Sequence, residues 1–276
     1  MRSERFLSLL HKELEVHPEL RGYYRFLNDP HKQSFRTAYY LQRLRYIERA
    51  LPTIGDYVWD CGCGYGTTNF FLALNGIRSF GNTLEYYYEQ IPRRREYWSA
   101  YGDVSLFECD YANTFDLDPA PNTYSTVIVQ DTLHHLEPLD KALLLFFRSL
   151  QPGGQLVAIE ENGSNIIQQL KLFRQRGTRR VIEIDDTRLG KKILMGNENI
   201  RSVRAWQHAF KQAGFVWDDG SLEYLRILPS GAFSDNDQDA VIAREQRIIA
   251  RYPVLRKYLS FGINFIARKP APAARR

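Results

Sequence analysis

Cysteine is scarce in this chain: there are three in 276 residues, Cys61, Cys63 and Cys109. Three cannot make a disulfide framework. Cys61 and Cys63 stand two apart with no second Cys/His pair nearby, so their spacing is not that of a zinc site, and no metal ligand set is expected. Buried, reduced thiols imply a reducing compartment, and a cytoplasmic protein is the expectation. Long hydrophobic runs are missing too. No stretch approaches the roughly 18 apolar residues that span a bilayer. The apolar stretch 6–10 near the N-terminus is too short for a signal-peptide core and is followed by His11 and Lys12. Repeats, heptads and collagen-like periods are absent. With 44% hydrophobic and 25% charged residues, the composition is that of an ordinary globular protein with a sizeable core.

The charge excess is small and local. Net charge is +5, from 37 basic and 32 acidic residues. Between Lys171 and Lys192 stand eight basic residues and three acids, and the remainder is balanced. Such a patch suits a carboxylate, a phosphate or an anionic membrane surface, and equally a solvated helix face.

The hydrophobic pattern alternates between two periods. Residues 1–50 read as helical, with Leu41, Leu44, Ile47 and Leu51 on one face and a break at Pro52 and Gly55. Strands are expected at 56–60, 77–84, 104–109, 124–130 and 156–159, with helices at 68–75, 85–100 and 138–150 between them. A turn is expected at Pro152-Gly153-Gly154. Residues 163–200 interrupt the rhythm as an insertion. It resumes with a helix at 202–213, a strand pair near 222–228 and 261–267, and an amphipathic helix at 238–251 between those strands. This alternation predicts an α/β fold with a mostly parallel sheet and helices on both faces.

Asp60-Cys61-Gly62-Cys63-Gly64-Tyr65-Gly66 follows the first strand and opens a helix. A dinucleotide fingerprint needs G-x-G-x-x-G, and the third glycine is missing in either register, since Thr67 and Asn69 stand there. Asp60 at the strand end repels a pyrophosphate and suits a ligand that carries an ammonium group.

This heptad resembles the first motif of the class I S-adenosylmethionine-dependent methyltransferases. Other landmarks follow in register: Phe107 to Tyr111, Leu133 to Leu136, and Leu150-Gln151-Pro152-Gly153-Gly154 with the strand after it. The resemblance covers roughly residues 50–215. It implies a Rossmann-like seven-stranded sheet with helical lid insertions. Residues 1–50 would form a helical lid, and 51–270 the cofactor-binding domain with its insertion at 163–200. Residues 271–276 would be a loose tail. It implies S-adenosylmethionine as cofactor, with Gly62, Gly64 and Gly66 wrapping its methionine part and Asp60 facing its ammonium group. Asp110 would accept from the adenine amine and the Tyr111 amide would cap a ring nitrogen. Thr83 stands where most members carry a ribose-binding acid, within Gly81-Asn82-Thr83-Leu84-Glu85; Thr83 or Glu85, flanking Leu84, would serve the ribose. Gln130 would contact the cofactor from the fourth strand.

His134 and His135 lie at the carboxyl end of the fourth strand, where ligands of open α/β sheets bind, and histidine titrates near neutral pH. They are the candidate catalytic residues, with packing against the cofactor as the alternative. Glu160 at the end of the fifth strand either faces the acceptor or is a structural hydrogen-bonded acid. The tetrad of nucleic-acid amino-methyltransferases is not present at Gln130-Asp131-Thr132-Leu133, so DNA is not an expected partner. The expected activity is methyl transfer to oxygen or carbon of a small acceptor, lipidic or anionic, with peripheral membrane contact as one option. The alternatives are an RNA or protein methyltransferase, and a non-catalytic S-adenosylmethionine-binding protein of the same fold.

Overall fold

The computed structural model describes residues 1–51, 56–84, 86–233 and 238–272. The chain divides into two compact units, Met1–Leu51 with Tyr224–Gly262, and Pro52–Glu223 with Ile263–Arg276.

The first unit is helical. It holds α1 (Ser3–Val16), α2 (Arg21–Tyr24) and α3 (Pro30–Ala50). Asp29 caps α3 by accepting from the His31 amide, and Pro30 fits the first helical position, where no amide hydrogen is needed. The apolar face expected from Leu41, Leu44 and Ile47 is buried. The expected break at 52–55 lies outside the described residues, as does the expected loose tail from residue 273 onward.

The second unit holds the alternating strands and helices. Along the chain run β1 (Tyr57–Cys61), α4 (Thr67–Ala73), β2 (Arg78–Thr83), α5 (Ile91–Ser99), β3 (Phe107–Tyr111), β4 (Tyr124–Gln130), α6 (Leu139–Ser149) and β5 (Leu150–Glu161). After them come α7 (Ile166–Arg176), β6 (Val181–Asp186), β7 (Lys191–Gly196), α8 (Val203–Gln212) and β8 (Val216–Leu225). The chain then passes through α9 (Gln238–Arg251) and α10 (Pro253–Leu259) of the first unit and ends on β9 (Gly262–Arg268).

Seven strands form one sheet in the order β3-β2-β1-β4-β5-β9-β8. The pairings from β3 to β5 are parallel. Parallel strands are buried on both faces, which explains the unbroken apolar runs of β1 and β4. Trp59 and Phe146 meet edge to face at 5.2 Å, and Phe70 packs on Trp98 and Phe107. The architecture is the α/β, Rossmann-like seven-stranded arrangement that the alternation and the resemblance imply.

Two local expectations shift. Pro152-Gly153-Gly154 does not separate α6 from its strand; β5 begins at Leu150 and absorbs the three residues in a register shift opposite Tyr124 and Thr126. Gly154 permits this, because a Cβ there would strike the backbone oxygens of Gln151 and Ser125. The insertion is not only helical. Asn165 caps α7 through the Gln168 amide, and β6 and β7 then pair antiparallel as a separate two-stranded sheet. Alternation in Val181-Ile182-Glu183-Ile184 and the turn at Gly190 (φ 65°) carry the strand signal, masked in the sequence by the surrounding basic residues.

Candidate functional site

The parallel register brings the carboxyl ends of four strands to one edge. Cys61 lies beside Asn82 on one side and Val129 on the other, and Asn82 lies beside Asp110. The glycine turn is docked onto this edge by Asn82, whose carbonyl accepts from the amides of Gly62 and Cys63. The Asn82 side chain accepts from the Trp59 indole at 2.8 Å and donates to Ala112 and Thr114. Gly62, Gly64 and Gly66 take φ values of 75°, 51° and 73°. A side chain at Gly62 would collide with Thr132, and one at Gly66 with Phe107, so both sites need glycine for space as well as conformation. The fully buried Arg94 of α5 braces the turn from below, donating to the Tyr65 carbonyl and the Thr67 hydroxyl. The run Arg93-Arg94-Arg95 reads as a solvated helix face, so nothing in the sequence marks its middle member.

Asp60 is 1% exposed and its Oδ2 has no hydrogen-bond partner. Burial alone pushes its pKa up to about 7. A carboxylate held without a counter-charge in a dry pocket is costly, and a cationic group placed on it removes that cost.

The other cofactor candidates line the same edge. Thr83 is buried at the end of β2, and its carbonyl accepts from the Ala112 amide. The Leu84 carbonyl accepts from the Tyr111 hydroxyl at 2.7 Å. Glu85 lies outside the described residues. Asp110 is exposed at the end of β3. The Tyr111 hydroxyl also lies 2.8 Å from Asp186 Oδ2, so its single proton is shared between the two acceptors, and the Arg188 guanidinium lies over both Tyr111 and Tyr88, so the insertion is tied to this part of the edge. Gln130 donates through Nε2 to the Thr68 hydroxyl of α4 at 2.5 Å.

The two histidines differ sharply. His134 is 3% exposed, and its Nδ1–H donates to Glu160 Oε2 at 2.5 Å. The other Glu160 oxygen accepts from the amides of Thr132 and Leu133. Burial works against the charged ring, but the Glu160 carboxylate, helped by Asp131 and Glu198, outweighs it and holds His134 at about 9. His134 is therefore a cation at neutral pH. His135 is half-buried, and its Nδ1–H donates to the Gly196 carbonyl at 2.9 Å. That bond fixes the tautomer and leaves Nε2 as the lone-pair nitrogen. Glu198, from the end of the insertion, faces both rings, with its carboxylate 3.8 Å from His134 Nε2 and 4.0 Å from His135 Nε2. It is far from both histidines in the sequence, and no motif announces it. Beside it is a cavity of about 360 Å³ lined by Leu172, Gln175, Arg176, Arg179, Ile182, Asn197 and Glu198.

The basic surplus of the insertion is partly taken up by neighbours. Lys191 pairs with Asp116, Lys192 with Glu183, Arg188 with Glu89, and Arg180 donates to Asn199. Arg176 and Arg179 instead line the cavity. Among the described residues, no helix is long and apolar enough to cross a membrane.

Comparison with known proteins agrees with this architecture. Residues 59–158 match a family model described as a methyltransferase domain. A curated relative, the S-adenosyl-L-methionine-dependent Diels-Alderase iccD of Talaromyces variabilis, is 29% identical over 112 residues; the match spans 40% of this chain and 38% of that protein. Among solved structures, an S-adenosylmethionine-dependent methyltransferase from Mesorhizobium loti superposes with a TM-score of 0.51 at 16% identity, covering 82% of this chain and 97% of that one. Phosphoethanolamine N-methyltransferase 2 of Haemonchus contortus, in complex with S-adenosyl-L-methionine, gives 0.55 at 16% identity, covering 87% and 57%.

Proposed function

We propose, from the fold and the methyltransferase-domain match at residues 59–158, that the chain is a class I S-adenosylmethionine-dependent methyltransferase that transfers a methyl group to oxygen or carbon of a small anionic acceptor. The residues fit the cofactor. Asp60 offers a buried carboxylate oxygen that lacks a partner, suited to the ammonium of the methionine part. The positive-φ glycines leave backbone with no Cβ in the way, and Thr83 and Leu84 stand at the carboxyl end of the neighbouring strand β2. When bound, S-adenosylmethionine supplies a methyl group on a sulfonium, already a good leaving group.

The chain's own task is then to place and activate the acceptor. His135 is the group proposed to meet it. Its Nε2 is the lone-pair nitrogen, and the ring is held by Gly196 and accessible. His134 is a positioning residue, because its Nδ1 proton is held by Glu160. The observation that carries the acceptor class is the cavity beside Glu198, where Arg176 and Arg179 stand among Leu172 and Ile182. The Arg176 Nε is buried there without a hydrogen-bond partner. Two guanidinium groups beside aliphatic side chains suit a carboxylate or phosphate on an apolar body. A lipidic acceptor is supported by α7, where Ile166, Ile167, Leu170 and Phe173 are exposed next to Lys171 and Arg174. An RNA or protein acceptor has less support, since much of the basic surplus is already paired within the fold.

A radiolabelled methyl-transfer screen on cell extract, split into lipid, small-molecule, RNA and protein fractions, tests the reading. Label in the first two fractions is expected; label confined to RNA or protein overturns it. His135→Ala is expected to lower turnover about 10²–10⁴-fold, the usual range for a lost acid–base group, with S-adenosylhomocysteine affinity within about twofold. Unchanged turnover removes His135 from the role. A second reading rests on the Diels-Alderase relative: the chain binds the cofactor and catalyses a cyclisation without methyl transfer. Cofactor binding with no labelled product in any fraction favours it.

A further inference from the structure

The pair of histidines and Glu198 form an arrangement that methyl transfer by a free base does not require. Two imidazole nitrogens and one carboxylate converge, with all three candidate donor atoms within 4.8 Å of one another. No spacing in the sequence shows this set, because Glu198 arrives from the insertion. We propose that His134, His135 and Glu198 bind a first-row divalent cation through His134 Nε2, His135 Nε2 and the Glu198 carboxylate, leaving open positions for an oxygen of the acceptor. With the ion bound, His135 acts on the acceptor through it rather than as a free base.

The support comes from what stands behind each ligand. Metal-binding histidines almost always donate their second ring nitrogen to a carboxylate or a backbone carbonyl, which fixes the ring and its tautomer. Both patterns occur here side by side. His134 donates through Nδ1 to Glu160, itself anchored by the Thr132 and Leu133 amides. His135 donates through Nδ1 to the Gly196 carbonyl. Each bond turns Nε2 toward the same carboxylate; His135 offers its Nε2 lone pair directly, whereas His134, a cation in the free chain, coordinates by releasing its Nε2 proton as the ion binds.

The third ligand is placed by the backbone. Asn199 donates its amide to the His134 carbonyl at 3.2 Å, and Leu136 forms a bridge with Met195. Gly196 lies so close to His134 and His135 that a Cβ there would strike the His134 carbonyl. The end of β7 is thus tied to the histidine segment on either side of Glu198. Glu198 itself adopts φ 53° and Asp131 φ 47°, left-handed conformations that cost non-glycine residues energy and concentrate at functional sites.

The ligands must draw together to hold an ion. A tetrahedral ion with bonds of about 2.1 Å holds its ligands roughly 3.4 Å apart, against separations within 4.8 Å in this set, where His134 Nε2 lies 3.8 Å from one Glu198 oxygen and His135 Nε2 4.0 Å from the other. The Glu198 side chain is 43% exposed and has room to swing inward. Imidazole with one carboxylate suits zinc, iron, cobalt or nickel better than magnesium or calcium. Three protein ligands with open positions is the pattern of a catalytic rather than a structural site. Glu198 also lines the cavity that holds Arg176 and Arg179, so the open positions adjoin the space proposed for the acceptor. The cation site stands on the geometry alone; only the acceptor's place on it rests on the proposed methyl transfer.

The test uses the full chain with no polyhistidine tag, stripped with a chelator. Zinc(II) is titrated by calorimetry and cobalt(II) by visible absorption. One equivalent of each is expected, with Glu198→Gln and His135→Asn each weakening binding at least about tenfold. Both side chains are solvent-accessible, so these variants are expected to fold, as circular dichroism checks. Failure of the wild-type chain to bind either ion overturns the proposal. So does unchanged affinity in either variant, or a cobalt spectrum with thiolate charge-transfer bands, which would place the ion on the cysteines. Gly64→Arg, which removes the cofactor cradle, is expected to keep the cation. Loss of S-adenosylhomocysteine binding and loss of cation binding therefore report separately on the two readings.

Discussion

Asp60 and Glu160 are both buried carboxylates at strand ends on one sheet edge, and they are treated in opposite ways. Glu160 is fully satisfied: one oxygen holds the His134 ring and the other holds two amides. Asp60 is left with an oxygen that has no partner and a pKa pushed to about 7. On the proposed function, the acceptor side is pre-organised by internal pairing, while the cofactor side keeps a charge that a ligand can neutralise. The unpartnered Asp60 oxygen costs the free chain stability that a bound cation would restore, whereas the Glu160 pairing holds the His134 ring in place.

The most damaging change to the cofactor side is Gly64→Arg. It fills the turn with a long side chain and a positive charge, and no S-adenosylhomocysteine binding is expected by calorimetry, with the circular dichroism of the wild-type chain retained. Intact affinity would remove the turn from the site. Next comes Glu160→Ala, which strands a buried imidazolium and two amides. Breaking one partner of a buried pair costs about 3–5 kcal/mol, to be read from urea denaturation. A loss under about 1 kcal/mol would mean that the pairing is not structural.

Asp60→Asn is expected to act in the opposite direction on the free chain. A carboxyl whose folded pKa is raised to about 7 contributes its stability below the unfolded value near 3.8 and loses it as pH rises toward 7. The wild-type apo chain should therefore weaken between about pH 4 and 7, and the asparagine variant should be more stable at about pH 8 by of order 1–3 kcal/mol. Its cofactor affinity should fall about tenfold or more, the worth of a charge-assisted hydrogen bond. Wild-type affinity should tighten from about pH 6 to 8, as the carboxyl ionises, while the variant stays flat. A destabilised variant at the alkaline end would overturn the contrast between the two acids. The smallest effect is expected at the rim: Lys191→Ala removes an exposed pair with Asp116 and should change stability by less than about 1 kcal/mol.

The edge proposed for the cofactor was largely legible in the sequence because its signals are local. Strand, glycine turn and helix follow one another without a gap, and the acid before the first glycine is the reason an ammonium ligand is expected there rather than a pyrophosphate. Even there, Arg94 was invisible, since burial of one arginine among three depends on where α5 packs. The acceptor side was legible only in part. His134 and His135 could be singled out by their place after β4, but not told apart, since what separates them is contact with Glu160 and Gly196. The hairpin in the insertion was hidden because its short alternating run is flanked by basic residues that read as a solvated helix.

Local pattern by itself determined the α/β alternation, the parallel half of the sheet and the glycine cradle, because periodicity and turn chemistry act over a few residues. Only the tertiary structure decided which carboxylate is paired and which is left open, which histidine lies against an acid, and that Glu198 faces both rings. Those outcomes depend on distances between segments tens of residues apart, and electrostatics in a buried site is set by such distances.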